Sequence, residues 1–233
     1  MKTFHIKLPI EKIEIEEISA GDIVYLTGRI FTLRDRSHQR IDEYSKKGIK
    51  IPFDLKNGAV LHCGPIIRYK GEKEWEAVSV GATSSSRFSP FVAALIKGVG
   101  PRMIIGKGNL FKEAEDALKS HRAVFLLAIG GCAALYGSQV KKVMNNYWEE
   151  FGMADSVWEL EVEGLGPLSV GIDCKGGNLY ESLRTVTLKN NLKKIYEDLE
   201  IDPDFDYTWW PKVPAGTKRA TEYSTSSDKE ILR

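Results

Sequence analysis

The chain has few of the features that mark a protein for a membrane, a nucleic acid or an oxidising compartment. In its 233 residues no uninterrupted apolar run reaches the roughly 20 needed to span a bilayer. Neither sign of charge dominates: 33 Lys and Arg face 32 Asp and Glu, a formal charge of +1. That balance gives no electrostatic case for a nucleic-acid or anionic-membrane partner. The opening residues, Met1-Lys2-Thr3-Phe4-His5-Ile6-Lys7, hold neither a long apolar stretch nor a small-residue cleavage site, so the expected compartment is cytoplasmic. Cysteine is scarce. Cys63, Cys132 and Cys174 are odd in number, scattered, and free of any Cys-x-x-Cys pair, which argues against a disulfide framework, a zinc site or a redox dithiol. Each sits in an apolar or glycine-rich context and is expected in the core. His5, His62 and His121 form no metal-ligand spacing with one another or with carboxylates, and no role is assigned to them.

What is present reads as an α/β chain, long enough to bury a substantial core. Residues 1–20, with the alternation Ile13-Glu14-Ile15-Glu16, are expected to form an edge strand, followed by strands at 23–28, 59–65 and 75–80. A short helix is expected near 41–47. Residues 90–96 have helical spacing with Pro90 in the first turn. Strand and helix then alternate: strand 103–105, helix 110–119, strand 123–129 and a helix from about 132 to 147. Two late strands, 156–162 and 168–172, flank 164–167, and a last helix starts near 178. Such alternation, with extra antiparallel strands early and late, argues for a layered α/β domain over residues 1–202. From Pro203 the composition changes. Trp209-Trp210-Pro211 and a Ser/Thr/Lys-rich run over 215–229 cannot support a core of their own, so 203–233 is expected to be an extension, docked through 212 and flexible after 216.

Two short segments carry the chemistry. Arg34-Asp35-Arg36-Ser37-His38 is one; Gly81-Ala82-Thr83-Ser84-Ser85-Ser86-Arg87, with Ile105-Gly106-Lys107-Gly108 a little further on, is the other. Each places a cation beside glycines or small hydroxyl residues where an apolar run gives way to a loop. Arginine offers a planar two-point fork to a carboxylate and lysine a movable point charge, so the set looks like a cradle for a small, doubly negative molecule. Nucleotide loops are excluded by spacing: the third glycine of Gly-x-Gly-x-x-Gly would fall at Met103, and a P-loop ending at Lys107 would begin at Pro101 and be followed by Gly108. Other readings stand beside the cradle. Lys107 is also consistent with an ordinary loop lysine. Any of Thr83 to Ser86 could cap the following helix, with Ser85 or Ser86 capping and Thr83 reaching a ligand. The Arg34 to His38 stretch is also consistent with a solvated, salt-bridged loop, and His38 with a structural histidine or one titrating near neutrality.

These segments resemble the C-terminal domain, or separate β subunit, of the iron–sulfur (class I) fumarate hydratases and the related L-tartrate dehydratases. The Arg-Asp-x-x-His, Gly-x-Thr-x-x-x-Arg and Ile-Gly-Lys-Gly elements occur in family order, and the resemblance covers roughly residues 21–182. It implies a β/β/α swivelling-type domain that supplies half of a composite site for reversible hydration of fumarate to L-malate. Arg34, Thr83, Arg87 and Lys107 would bind the dicarboxylate, with Arg34 the fork oriented by Asp35. Thr83 would be the candidate base, an assignment that needs cations to activate its hydroxyl. Arg36 stands where the family has a small residue, and Arg34 takes the binding role by register. The resemblance places the [4Fe–4S] cluster on a partner α subunit, in an α2β2 assembly, with no metal ligand in this chain. The same machinery acting on L-tartrate or a methylated dicarboxylate is the alternative. A non-enzymatic dicarboxylate-binding domain is a further one.

Overall fold

The computed structural model describes residues 1–200 apart from 11, 72, 73, 188–190 and 192. Its framework is a row of short apolar runs that pair side by side. Strands β2 (Ile23–Leu33), β3 (Ala59–His62), β6 (Met103–Gly106) and β7 (Val124–Ala128) lie parallel, in the register Ile30, Ala59, Met103, Val124. Successive side chains point to opposite faces of a strand. Ala59, Leu61, Met103, Ile105, Val124 and Leu126 accordingly enter one buried cluster, while Val60, Ile104 and Phe125 enter another.

The second cluster is completed by helices. Helix α2 (Asp35–Lys47) contributes Ile41, α3 (Ser89–Gly98) contributes Val92, Leu95 and Ile96, and α4 (Lys112–Ser120) contributes Ala114 and Leu118. Their spacings of three and four put these residues on one helical face. Gly48 ends α2 at φ 67, a left-handed conformation that glycine adopts without a Cβ penalty.

The first cluster is enclosed by one long strand. β9 (Val157–Ile172) runs antiparallel to both β2 and β7, so the ring β2, β3, β6, β7, β9 closes on itself by hydrogen bonds. Trp158, Leu160, Val162, Leu165, Leu168 and Val170 line its inner side. β1 (Thr3–Lys7) flanks β2, and β8 (Val140–Tyr147) flanks the first half of β9. β4 (Ile66–Gly71) and β5 (Glu74–Ser79) form a separate two-stranded sheet.

The mixed α/β class holds, but several sequence expectations change. Ile13-Glu14-Ile15-Glu16 lies in helix α1 (Lys12–Glu17), not in a strand: the buried Ile15 and Ile18 are three apart, and four alternating residues are too few to reveal the period. α2 begins at Asp35, so the first charged motif starts a helix. The helix expected from 132 is only α5 (Ala133–Ser138); residues 140–147, a mix of apolar and polar side chains, become β8 because β9 offers them a partner edge. The two late strands are one. A register shift between the Leu26–Leu165 and Gly28–Val162 pairs absorbs the glycines, with Gly164 at φ 62 donating its N–H to Thr27 Oγ1 at 3.0 Å. The last helix expected from near 178 is described over α6 (Leu179–Thr187) and α7 (Lys193–Asp198), with residues 188–190 and 192 between them outside the described residues.

The chain falls into two compact units, Met1–Leu179 and Tyr180–Arg233. The boundary expected at 202 and the extension 203–233 lie outside the described residues. Among the described residues no helix is long and apolar enough to cross a membrane.

The ring interior sets a stability expectation. Ile105→Ala, at a fully buried position, should cost about 2–5 kcal/mol in urea unfolding. Ile66→Ala, at a residue 57% exposed, should stay within about 0.5 kcal/mol. Equal costs at the two sites would contradict the packing described.

Candidate functional site

Parallel strands place their carboxyl ends together, and open loops there are where α/β sheets bind ligands. Arg34 follows β2, His62-Cys63-Gly64 ends β3, and Lys107 follows β6. Across the ends of β3 and β6 lies the segment from Ala82 to Ser85. Cys63 bridges Ala82, the Thr83 N–H donates to the His62 carbonyl at 2.8 Å, and the Ser85 N–H donates to the Lys107 carbonyl at 3.0 Å. Backbone bonds therefore bring the threonine to the lysine loop.

The two charged motifs meet through one ion pair. Arg87 Nε donates to Asp35 Oδ1 at 3.0 Å and Nη2 to Asp35 Oδ2 at 3.2 Å. Nη2 also donates to Thr83 Oγ1 at 3.1 Å, and Nη1 to the Ser84 carbonyl at 3.3 Å. A guanidinium has five N–H donors, so these contacts leave a single Nη1 donor uncommitted. The structure thus changes the expected pairing: Asp35 orients Arg87 rather than Arg34, and the forked edge of Arg87 is occupied. Burial opposes ionisation of Asp35, but the hydrogen bond and charge of Arg87 outweigh it and hold the carboxyl below its ordinary range.

Arg34 is held more loosely. Its backbone N–H donates to Ser37 Oγ at 2.7 Å, which starts α2, but its side chain stands 3.8 Å from Asp35 and 4.0 Å from Asp155. Arg34 Nε and Asp155 Oδ1 are both buried without a hydrogen-bond partner among the described residues. Gly64 makes room for this arginine, since a Cβ there would come within 2.8 Å of Nη1. Lys107, half-buried, enters no ion pair among the described residues. Arg36 points elsewhere: it is exposed, with its guanidinium 4.4 Å from the centre of the Phe151 ring.

Beneath the cations lie two buried histidines against Phe88. His38 packs 5.0 Å from Phe88 and 5.1 Å from His62, ring centre to ring centre. Burial pushes His38 down to about 3, so it does not titrate near neutrality. His62 is also held well below its ordinary value, by burial first and then by the neighbouring His38 and Arg87. Its Nδ1 lies 2.8 Å from Ser85 Oγ. Sequence reasoning missed His62, Ser85 and Gly106. Ser85 starts the 3-10 turn Ser86–Phe88 without capping it through its side chain, and uses its hydroxyl on His62 instead. Gly106 matters because a Cβ there would collide with Ser85 Oγ. The one signal available was a histidine closing a wholly buried strand.

Two of the three cysteines do not fit an iron–sulfur cluster, and Cys132, expected in the core, is only half-buried. Cys63 is buried in the ring, and burial pushes its thiol up to about 12, away from the thiolate that ligates iron. The Cys174 thiol is raised as well and lies against the Ile15 carbonyl. No group of three His, Cys, Asp or Glu suited to a metal occurs among the described residues.

Residues 1–183 match the family described as "Fumarase C-terminus". The chain belongs to that family. The L(+)-tartrate dehydratase subunit beta of Escherichia coli K12 is 39% identical over 171 residues, 73% of this chain and 83% of that protein. A Methanocaldococcus jannaschii protein, provisionally given the same name, is 40% identical over 82% of this chain and 93% of its own length. A Geobacillus stearothermophilus protein, provisionally named class I fumarate hydratase, is 32% identical over 82% of this chain but only 35% of its own length. The family member described here is accordingly a β-type subunit of the hydro-lyase kind.

The buried His38 predicts a pH dependence. Below about pH 6.5 the unfolded chain protonates His38, whereas the folded chain does not until about pH 3, so stability is full above neutrality and falls across that interval. Between pH 7 and pH 5 the loss from His38 should be about 2 kcal/mol. His38→Leu should show an unfolding free energy flatter by that amount, and an unchanged pH slope would contradict the neutral, buried assignment.

Proposed function

We propose that this chain is the β subunit of a two-subunit iron–sulfur hydro-lyase that interconverts fumarate and L-malate, working with an α subunit in an α2β2 assembly. The observation that carries the reading is the Asp35–Arg87–Thr83 chain of contacts, flanked by the loosely paired Arg34 and by Lys107, which enters no ion pair among the described residues. The relatives named as β subunits support a separate partner chain, and the Geobacillus protein supports the same domain forming part of a longer polypeptide. Buried Cys63 and Cys174 suit a [4Fe–4S] cluster poorly, and this reading assigns the cluster, with departure of the hydroxyl group, to the α subunit.

This chain's share of the chemistry is binding and proton transfer. Arg34 and Lys107 hold one substrate carboxylate, a charge-assisted contact that strengthens as charge builds on the neighbouring carbon. Arg87 adds its remaining Nη1 donor. During hydration the Thr83 hydroxyl delivers its proton to one alkene carbon while hydroxide adds to the other. The threonine oxygen is left negative beside Arg87 Nη2, and the second proton of the added water restores it. Dehydration runs the same steps backwards, with Thr83 as the base. An unassisted threonine is a poor base; a guanidinium donor 3.1 Å from its oxygen favours the charged form.

A second reading is favoured by identity: the relatives named for L(+)-tartrate stand at 39–40%, against 32% for the one named for fumarate. The residues found here recognise carboxylates, not the groups between them, so both substrates fit this half of the site.

The test is an anaerobically purified pair with the α subunit, assayed on fumarate and on L-tartrate beside the isolated chain. The pair should be active and the isolated chain inactive and iron-free. Thr83→Val in the pair should lower kcat by about 10²–10⁴-fold and abolish exchange of the substrate C3 hydrogen with solvent, while Thr83→Ser keeps part of both. Near-normal kcat in Thr83→Val would remove Thr83 from the chemistry. Stoichiometric cluster in the isolated chain would overturn the division between subunits.

A further inference from the structure

Below the proposed base, one residue holds both ends of the Thr83-Ser84-Ser85 tripeptide. The His62 carbonyl accepts the Thr83 N–H at 2.8 Å, and the His62 ring nitrogen Nδ1 lies 2.8 Å from Ser85 Oγ. Both His62 and Ser85 are fully buried, so water does not compete for this bond. The ring is packed against Phe88, 4.7 Å away centre to centre, and against His38. Gly106 leaves the space through which Ser85 reaches the ring; any Cβ at 106 would occupy the position of that hydroxyl. The third anchor is the Ser85 N–H on the Lys107 carbonyl.

We propose that His62 is a positioning residue that clamps Thr83-Ser84-Ser85 through its carbonyl and its Nδ1, and so fixes where the Thr83 hydroxyl stands relative to Arg87. The inference rests on Thr83 acting in proton transfer for its kinetic consequence, though not for the clamp itself. Thr83 Oγ1 receives its hydrogen bond from Arg87, whose own guanidinium is set by Asp35 on helix α2. That guanidinium is fixed from the α2 side, so a tripeptide free to shift would carry the hydroxyl out of the 3.1 Å contact. A displacement of about 1 Å at a reacting group is enough to cost on the order of a hundredfold in rate. Because His62 lies beneath the segment and touches no substrate, its loss should appear in kcat rather than in KM.

The experiment uses the pair with the α subunit and four variants. Ser85→Ala removes the hydroxyl with little disturbance of folding; His62→Leu removes the ring nitrogen; His62→Asn returns a polar atom near Nδ1; Thr83→Val supplies the background. Ser85→Ala and His62→Leu should each lower kcat at least tenfold with KM changed less than about threefold, and His62→Asn should recover most of the loss. In the Thr83→Val background the same substitutions should change the residual rate less than about twofold. Equal losses in both backgrounds, a change confined to KM, or no recovery with His62→Asn would overturn the proposal. Amide hydrogen exchange reads the clamp without activity. Exchange of the backbone amides at positions 83 and 85 should quicken at least tenfold in Ser85→Ala while Leu126 in β7 is unchanged, and unaltered exchange would refute the clamp. An inactive wild-type pair with these exchange changes intact would count against the hydro-lyase reading and leave the clamp standing.

Discussion

The carboxylate of Asp35 meets the guanidinium of Arg87 at two points, and through that contact two segments 52 residues apart become one site. The side chains are 42% and 40% exposed, so the pair contributes only about 0–1 kcal/mol to stability. Its importance is geometric. A bidentate pair fixes the plane of the guanidinium as well as its position. With its Nε edge committed, Arg87 has its Nη2 donor beside Thr83 and its Nη1 donor on the Ser84 carbonyl. The forked edge of Arg87, one of the arginines that the family resemblance would assign to substrate, is already taken by the protein's own carboxylate. In the proposed reading substrate is left to Arg34, Lys107 and one remaining donor.

This arrangement depends in turn on the closed ring of strands. β2, β3 and β6 are parallel and in register, so the loops at their carboxyl ends must emerge together. β9 shuts the ring behind them and removes the freedom of an open sheet to twist its edges apart. The ends of the strands then bring together the Thr83 hydroxyl, Lys107, the loosely paired Arg34 and the Arg87 fork. The β-subunit names among the relatives imply a partner chain beside this one.

The sequence was most legible where apolar runs were long or continuous. The core strands at 59–62, 103–106 and 124–128 and helices α3 and α4 announce themselves by period and by Pro90. It was least legible where tertiary pairing overrides local preference. Residues 140–147, which mix apolar and polar side chains without a clear period, form a strand alongside β9, and Ile13-Glu14-Ile15-Glu16 is too short a run to separate helix from strand. In the site, residue types pointed to the two charged segments, the family resemblance singled out Arg34, Thr83, Arg87 and Lys107 within them, and the structure brings these segments together. The partner of Asp35 was not readable, because adjacency in sequence favoured Arg34 over an arginine 52 positions away. Nor was His62, whose role comes from two contacts made in three dimensions.

The central claim is that Asp35 acts through Arg87 on the Thr83 hydroxyl, and a double-mutant cycle in the pair with the α subunit tests it most directly. Asp35→Asn and Arg87→Lys should each lower kcat/KM, the second by about thirty- to a thousandfold if it removes a charge-assisted contact of roughly 2–4 kcal/mol. If the carboxylate works through the guanidinium, the double variant should fall no more than about threefold below Arg87→Lys alone. Losses that multiply in the double variant would show that the two residues act independently and would contradict the account.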